Sequence, residues 1–247
     1  MKVKCIVSYD GTNFKGYQVQ PGQRTVQTEL ESALARMHKQ TEPISVVASG
    51  RTDSGVHAKG QVIHFHTPLI IPMERWPFAL NSLLPDDIRI LKAEEVDESF
   101  HARFSVASKE YRYVVSTETH QNVFMRHYAC HYPYRLDVDR MKEAATYLIG
   151  TYDFTSFCAA NTEVQDKVRT IYTLEWKNAS DGLEMRVRGN GFLYNMVRII
   201  AGTLLEVGAG KFRPEDVKAM LAARNRKAAG KTAPSHGLYL WEVFYDN

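Results

Sequence analysis

One block of nine residues, 49–57, constrains this chain more than any other stretch, and it reads SGRTDSGVH. Its two glycines permit backbone conformations with positive φ, and its Asp and Ser side chains often hydrogen-bond to the backbone of turns. The block therefore predicts a tight loop. This loop presents one carboxylate, Asp53, two residues after the guanidinium of Arg51. A nearby cation lowers the pKa of a carboxyl group, so we expect an ionised Asp53 that can act as a nucleophile or a base.

The tripeptide at 53–55, Asp-Ser-Gly, also occurs in ordinary turns and in aspartic proteases. An aspartic protease needs two carboxylates that share a proton. The chain contains no second Asp-Ser-Gly or Asp-Thr-Gly, and a charged Arg stands two residues before Asp53. These features argue against a protease, whereas a purely structural turn remains open for the tripeptide alone.

Composition indicates a globular protein of a reducing compartment. A chain of 247 residues with 44% hydrophobic residues suits one large domain or two small ones. No apolar run is long enough for a signal peptide or a membrane span. Cys5, Cys130 and Cys158 are too few and too far apart for a disulfide framework or a Cys-x-x-Cys metal pair, so we expect a cytoplasmic protein.

Positive charge is concentrated in the second half of the chain. The net charge is only +3, and residues 1–105 carry 12 basic and 12 acidic residues. Residues 186–231, called the basic region below, carry 10 basic and 3 acidic residues, a net charge of +7. Such a patch indicates a polyanion site or, equally, a solvated face with incidental charge.

Hydrophobic periodicity predicts two α+β halves, 1–105 and 106–247, each with a mixed or antiparallel sheet flanked by helices. The predicted strands cover 2–9, 44–48, 60–67, 88–93, 111–116, 169–177, 183–188 and 238–245, with a hairpin turn at 178–182. Two predicted helices begin after N-caps at Thr25 and Asp137. Three more cover 75–84, 193–207 and 214–223, the last with Pro214 in its first turn.

Two further side chains have both a structural and a functional interpretation. Arg198 lies on a helix face with Gly191, Asn195 and Gly202, where a guanidinium can be partly buried, although a helix Arg usually extends into solvent. Tyr111 opens a strand and can fill a core or stack on an unpaired base.

Four blocks together identify a family. They are GRTDSGVHA at 50–58, FSVASKEYRYVV at 104–115, NGFLYNMVRIIAGTL at 190–204 and TAPSHGLYLWEVFY at 232–245. In content and order they resemble the tRNA pseudouridine synthase A family, whose active-site block reads Gly-Arg-Thr-Asp-x-Gly-Val-His-Ala. The resemblance extends nearly from end to end of the chain.

The resemblance implies a pseudouridine synthase fold, with two joined halves and an active-site cleft between them. It implies isomerisation of uridine to pseudouridine at positions 38, 39 and 40 of the tRNA anticodon arm. That reaction is an intramolecular transfer without redox change, so no cofactor or metal is expected. The expected assembly is a homodimer that binds tRNA and neither DNA nor a membrane.

The resemblance also implies roles for individual residues. Asp53 is the expected nucleophile, Arg198 its ion-pair partner, and Tyr111 the side chain that stacks on the target base. The local sequence, rather than the resemblance, leads us to expect that Arg51 helps to keep Asp53 charged. The charge pattern and the polar loop at 224–235 likewise predict that Arg224, Arg226, Lys227 and Lys231 bind phosphates from a mobile loop.

Two other function classes remain open at the level of sequence. A non-catalytic RNA-binding module is possible, although a carboxylate facing RNA phosphates would weaken its binding. A hydrolase would need a second acid near Asp53. The histidines His57, His64 and His66 could suggest a metal, but no nearby Cys or acid other than Asp53 completes such a site.

Overall fold

The computed structural model describes residues 1–162, 164–180 and 182–246. In this part of the chain the β-strands are β1 (Lys2–Tyr9), β2 (Val47–Ala48), β3 (His57–His66), β4 (Ile88–Val96), β5 (Val106–Ser116), β6 (Cys130–His131), β7 (Gly150–Asp153), β8 (Val168–Ala179), β9 (Gly182–Gly189) and β10 (Leu238–Tyr245). The α-helices are α1 (Val26–Met37), α2 (Trp76–Asn81), α3 (Val138–Thr146), α4 (Met196–Gly208) and α5 (Asp216–Ala223).

The chain forms two compact units, residues 1–107 with 239–247 and residues 108–238. The segment 239–247 belongs to the first unit, whereas sequence periodicity assigned it to the second half. The reason is strand pairing, since β10 runs parallel to β3 with Tyr239 opposite His57. A strand can join a sheet formed by distant residues, and periodicity cannot show which sheet it joins.

The first unit is a mixed sheet in the order β4-β1-β3-β10, with β2 also paired to β3. β1 is antiparallel to both β3 and β4. Its alternate residues Val3, Cys5 and Val7 are fully buried, as the period of two predicts. Helix α1 begins where expected, because the Thr25 side chain accepts a hydrogen bond from the Thr28 N–H at 3.3 Å.

The second unit is an antiparallel sheet in the order β5-β9-β8-β7, with the short β6 parallel to β5. Helix α3 contacts both α4 and β8. Almost all of α4 is buried, including Ile199, Ile200 and Leu204, and burial of such a side chain contributes about 1.5–3 kcal/mol. The α+β class with mixed and antiparallel sheets is therefore confirmed.

Several element bounds differ from the sequence prediction, and two have a clear physical cause. β2 has two residues rather than five because the Val46 N–H donates to the Glu31 side chain at 3.1 Å instead of to a strand. α4 begins at Met196 rather than Leu193 because Asn195 is left-handed, with φ 60°, which a right-handed helix cannot contain.

The remaining differences concern helix and strand ends and short strands that were not predicted. α2 is shorter than the predicted 75–84, and α5 begins after Pro214 rather than including it. β3 and β5 begin earlier than predicted, and β7 was not predicted. The β8–β9 hairpin is confirmed, although Asp181 of its predicted turn lies outside the described residues. No helix in the described ranges is long and apolar enough to cross a membrane.

Candidate active site

The loop that carries Asp53 connects β2 to β3 and is fixed at its base by one side chain of β3. Gln61 accepts a hydrogen bond from the Ser49 hydroxyl at 2.7 Å and donates from Nε2 to the Gly50 carbonyl at 2.9 Å. The Ser49 N–H also donates to the Val62 carbonyl at 2.7 Å. Because Ser49 and Gln61 are completely buried, water does not compete for these bonds.

Asp53 itself lies in a tight turn. The Val56 N–H donates to the Asp53 carbonyl at 3.1 Å, and Gly55 between them has φ 77°. This left-handed conformation is accessible to glycine at little cost, which explains Gly55 in the block. The predicted tight loop is therefore confirmed.

The residues on both sides of Asp53 are anchored to an earlier segment of the first unit. The Thr52 hydroxyl hydrogen-bonds to the Tyr9 hydroxyl at 2.8 Å, and the Thr52 carbonyl accepts from the Tyr17 N–H at 3.0 Å. Burial raises the pKa of Tyr9 to about 12, so this phenol remains neutral. The Ser54 hydroxyl donates to the Phe14 carbonyl at 3.1 Å. Asp53 is thus held between two fixed neighbours.

The end of the loop is secured by His57. Its Nδ1 accepts a hydrogen bond from the Gly11 N–H at 3.0 Å and lies 3.2 Å from Asp10 Oδ1. Its ring stacks on Tyr239 with centroids 4.8 Å apart. A Cβ on Gly11 would lie 2.0 Å from the Val56 carbonyl oxygen, so only glycine fits there.

The other two histidines of this region also have local partners. His64 accepts at Nδ1 from the Ala102 N–H at 3.1 Å, and burial lowers the pKa of His64 to about 4. His66 lies 3.0 Å from Glu98. Among the residues described, no group of three or more His, Cys, Asp or Glu side chains could hold a metal ion.

Arg51 and Asp53 differ in their exposure to solvent. Asp53 is half-buried, whereas Arg51 is exposed and forms no ion pair with any residue that the structure describes. Among the described residues Arg51 and Asp53 form no direct ion pair, although only Thr52 separates them in sequence. The effect of the Arg51 charge on the Asp53 carboxylate stays a prediction.

Arg198 in the second unit is held by the protein rather than extended into solvent. Its Nε donates to the Ala233 carbonyl at 2.9 Å, and its Nη1 donates to the Asn195 side-chain oxygen at 2.9 Å. The Ala233 N–H donates back to the Arg198 carbonyl at 3.0 Å. These contacts fix the plane of the guanidinium. Sequence reasoning placed Asn195 on the same helix face but did not identify it as a partner.

Tyr111 lies on β5, and its side chain is 8% exposed. Its ring meets Phe192 edge to face, with centroids 5.2 Å apart. Tyr113 is fully buried, and its hydroxyl donates to the Pro234 carbonyl at 2.9 Å. Tyr111 is therefore packed on the sheet beside Phe192, and its stacking on a target base stays a prediction.

The four basic residues expected to bind phosphate differ in their surroundings. Arg224 is exposed, lies 3.3 Å from Asp153 and adopts φ 45° at the end of α5. Arg226 is half-buried and donates to the Thr232 hydroxyl at 3.1 Å. Lys227 and Lys231 are exposed and form no ion pair within the described chain. These two lysines are therefore the better candidates for phosphate contact.

The segment that carries them is anchored, contrary to the expectation of a mobile loop. The Gly230 N–H donates to the Thr203 hydroxyl at 3.0 Å, and the Lys231 N–H donates to Glu206 at 3.2 Å. A Cβ on Gly202 would lie 1.9 Å from the Lys231 carbonyl oxygen. The segment therefore packs directly on α4 through its backbone.

Many charges of the basic region are neutralised by acids, some of which lie outside its sequence window. The pairs are Arg186–Glu184, Arg224–Asp153, Lys211–Glu206 and Arg213–Asp216, at 2.5 to 3.3 Å. Asp153 is distant in sequence from Arg224, whereas Glu184 stands two residues before Arg186, just outside the window. The net charge of a sequence window therefore overstates the charge that this surface offers to a polyanion.

Comparisons with known proteins agree with this architecture. The family model described as "tRNA pseudouridine synthase" matches residues 5–105 and 144–246. Proteins named tRNA pseudouridine synthase A from Bacillus pumilus and Bacillus subtilis are 88% and 68% identical over 247 residues, which is all of this chain and all of each relative. One from Geobacillus kaustophilus is 56% identical over 246 residues, covering 100% of this chain and 95% of its own. The chain therefore belongs to the tRNA pseudouridine synthase family.

Proposed function

We propose that this chain isomerises uridine to pseudouridine in the anticodon stem-loop of tRNA, at positions 38, 39 and 40. Membership of the family supports the reaction class. The observation that carries the proposal is the Asp53 turn, because each neighbour of this half-buried carboxylate is fixed by hydrogen bonds to another segment. A rigid carboxylate at a loop is suited to attack or to proton abstraction.

The reaction breaks the N-glycosidic bond of uridine, turns the uracil and forms a carbon–carbon bond to the same ribose. No atom is gained and no electron is transferred, so a cofactor is not required. A glycosidase uses two carboxylates because it must activate a water molecule, whereas this isomerisation consumes no water and needs none to be activated. Asp53 can therefore act alone, by attack on the ribose or the base or by proton abstraction.

Arg198 would ion-pair with Asp53 and orient it. A guanidinium has five N–H donors in a fixed plane, and Ala233 and Asn195 engage two of its nitrogens. The Arg198 guanidinium is therefore held in place and oriented before substrate binds. Because a uridine in a folded RNA must leave its stack to be attacked, Tyr111 would stack on the flipped base.

The proposed enzyme works as a homodimer in the cytoplasm, on RNA rather than DNA. Lys227 and Lys231 would bind tRNA phosphates, with a smaller share from Arg224 and Arg226. Positive side chains that follow a backbone supply most of the affinity for a nucleic acid without reading its sequence. Their anchored segment would lose little conformational entropy on binding.

Mapping of pseudouridine in total tRNA, from cells with and without this protein, tests the proposal. We expect modification at positions 38–40 to disappear without the protein, and to return when purified protein acts on unmodified tRNA. A non-catalytic RNA-binding module would leave the map unchanged. A hydrolase would release free uracil and leave abasic sites, and modification elsewhere in tRNA would reject the assigned positions.

A further inference from the structure

A short segment of the first unit, residues 14–17, lies directly against the Asp53 loop. Its first residue, Phe14, accepts a hydrogen bond from the Ser54 hydroxyl, and its last, Tyr17, donates to the Thr52 carbonyl. A Cβ on Gly16 would lie 3.0 Å from the Thr52 carbonyl oxygen and 3.5 Å from the Asp53 carbonyl carbon. The segment 14–17 therefore contacts the residues on both sides of Asp53 in the loop.

Lys15 lies within this segment, between Phe14 and Gly16. Its N–H donates to the Arg24 carbonyl at 3.0 Å, and its carbonyl accepts from Gln20 Nε2 at 2.6 Å. Arg24 is in turn held by Asp87 through two bonds of 2.7 and 2.9 Å. The backbone of Lys15 is therefore fixed. Its side chain is exposed and forms no ion pair with a residue in the described ranges.

An exposed cation beside the reacting carboxylate meets a specific electrostatic need of the proposed reaction. A uridine that reaches Asp53 brings the phosphates on its two sides, and Asp53 repels them. A compact ammonium on a flexible four-carbon stem can approach one of these phosphates. Within the first unit, Arg24 cannot serve in the same way, because Asp87 and Glu29 already bind its guanidinium.

We propose that Lys15 binds a backbone phosphate next to the reacting uridine. This inference rests on the proposed function and adds to it a binding residue close to the site of chemistry. A phosphate contact of this kind is independent of base identity, so it would serve all positions that the enzyme modifies. It would act on binding of the RNA and leave the chemical step to Asp53.

The test compares Lys15→Gln and Lys15→Arg with the wild type, using kcat and KM for pseudouridine formation in an unmodified tRNA transcript over a salt series. Lys39→Gln is the matched control. Lys39 is exposed, forms no ion pair among the described residues and follows α1, whose N-terminus contacts Gly16. The length of α1 places Lys39 roughly 18 Å from the segment 14–17.

For Lys15→Gln we expect kcat/KM to fall roughly five- to tenfold at about 0.1 M salt, with kcat little changed. The slope of log(kcat/KM) against log salt should decrease by about 0.7–0.9, the value for one phosphate contact. Lys15→Arg should retain most of the slope, because it keeps the charge. Lys39→Gln should behave as the wild type.

Two results would overturn the proposal. An unchanged salt slope, equal to that of Lys39→Gln, would make Lys15 a solvated surface residue. A lower kcat with a shifted pH profile and an unchanged slope would mean that Lys15 acts on the charge of Asp53 instead. Failure of the wild type to form any pseudouridine would reject the proposed function itself, which separates the two conclusions.

Discussion

The guanidinium of Arg198 is fixed by the backbone of Ala233, which accepts from Nε at 2.9 Å and donates its own N–H to the Arg198 carbonyl at 3.0 Å. A residue 35 positions away in sequence thus binds both the side chain and the backbone of one helical residue. Arg198 is therefore oriented before any substrate arrives, which is what an ion-pair partner of a catalytic carboxylate requires.

Substitution of Arg198 tests this role. We expect Arg198→Ala to lower kcat by two or more orders of magnitude, on the order of 3 kcal/mol, because the half-buried Asp53 would lose the ion-pair partner that we propose for it. Lys should restore little activity, since an ammonium cannot form the planar contacts to Ala233 and Asn195. Circular dichroism would verify the fold. Near-normal kinetics in both variants would show that Arg198 is only structural.

Asp53→Asn should abolish turnover while tRNA affinity is retained or slightly increased. Asn keeps the shape of the side chain but is not a nucleophile, and the change removes one negative charge from a polyanion site. Single-turnover assays and equilibrium binding measure the two properties separately. The neighbouring Ser54→Ala is the control, because it alters a loop anchor without removing the carboxylate. Appreciable pseudouridine formation by the Asn variant would reject the mechanism.

Gly202→Ala should destabilise the protein although alanine favours helices by about 1 kcal/mol over glycine. The added Cβ would lie 1.9 Å from the Lys231 carbonyl oxygen, and backbone cannot move aside as a side chain can. Overpacking of this kind costs about 1–3 kcal/mol or more, so the clash outweighs the propensity. Urea denaturation measures the difference. Gly191→Ala is the control, because the nearest atom to its Cβ lies at 3.7 Å.

The basic residues of 224–231 should separate into two groups. The double variant Lys227→Ala/Lys231→Ala should bind tRNA with a smaller dependence of log K on log salt. The slope should decrease by about 0.7–0.9 for each lysine that contacts a phosphate, and the stability of the protein should not change. Arg226→Ala should instead lower stability, because it removes the bond to Thr232. Binding over a salt series and thermal denaturation distinguish the two effects. An unchanged slope in the double lysine variant would mean that these lysines lie on a solvated face that does not contact RNA.

Stability should fall as the pH decreases below about 6.5, in part because of His64. Its pKa is lowered to about 4 in the folded protein, mainly by burial. The unfolded chain therefore binds a proton between about pH 6.5 and 4 that the folded chain does not, and this favours unfolding. His64→Gln should flatten this part of the stability curve, whereas the exposed His66→Gln should not. Chemical denaturation at pH 7, 6, 5 and 4 measures it.

The local features of this protein follow from its sequence because they depend on neighbouring residues. The Asp53 turn requires Gly55, the start of α1 requires the Thr25 cap, and the strand β10 has the bounds that its alternation predicts. These are effects of backbone conformation and short-range hydrogen bonding. The family itself was also identified from four sequence blocks, and the comparisons confirm it.

The tertiary structure decided which distant groups meet. It placed β10 beside β3 and bound the segment around Lys231 to α4 rather than leaving it mobile. It also brought the segment 14–17 to the Asp53 loop and paired Arg224 with Asp153. Such contacts depend on how elements far apart in the chain pack together, and residue periodicity carries no information about that packing.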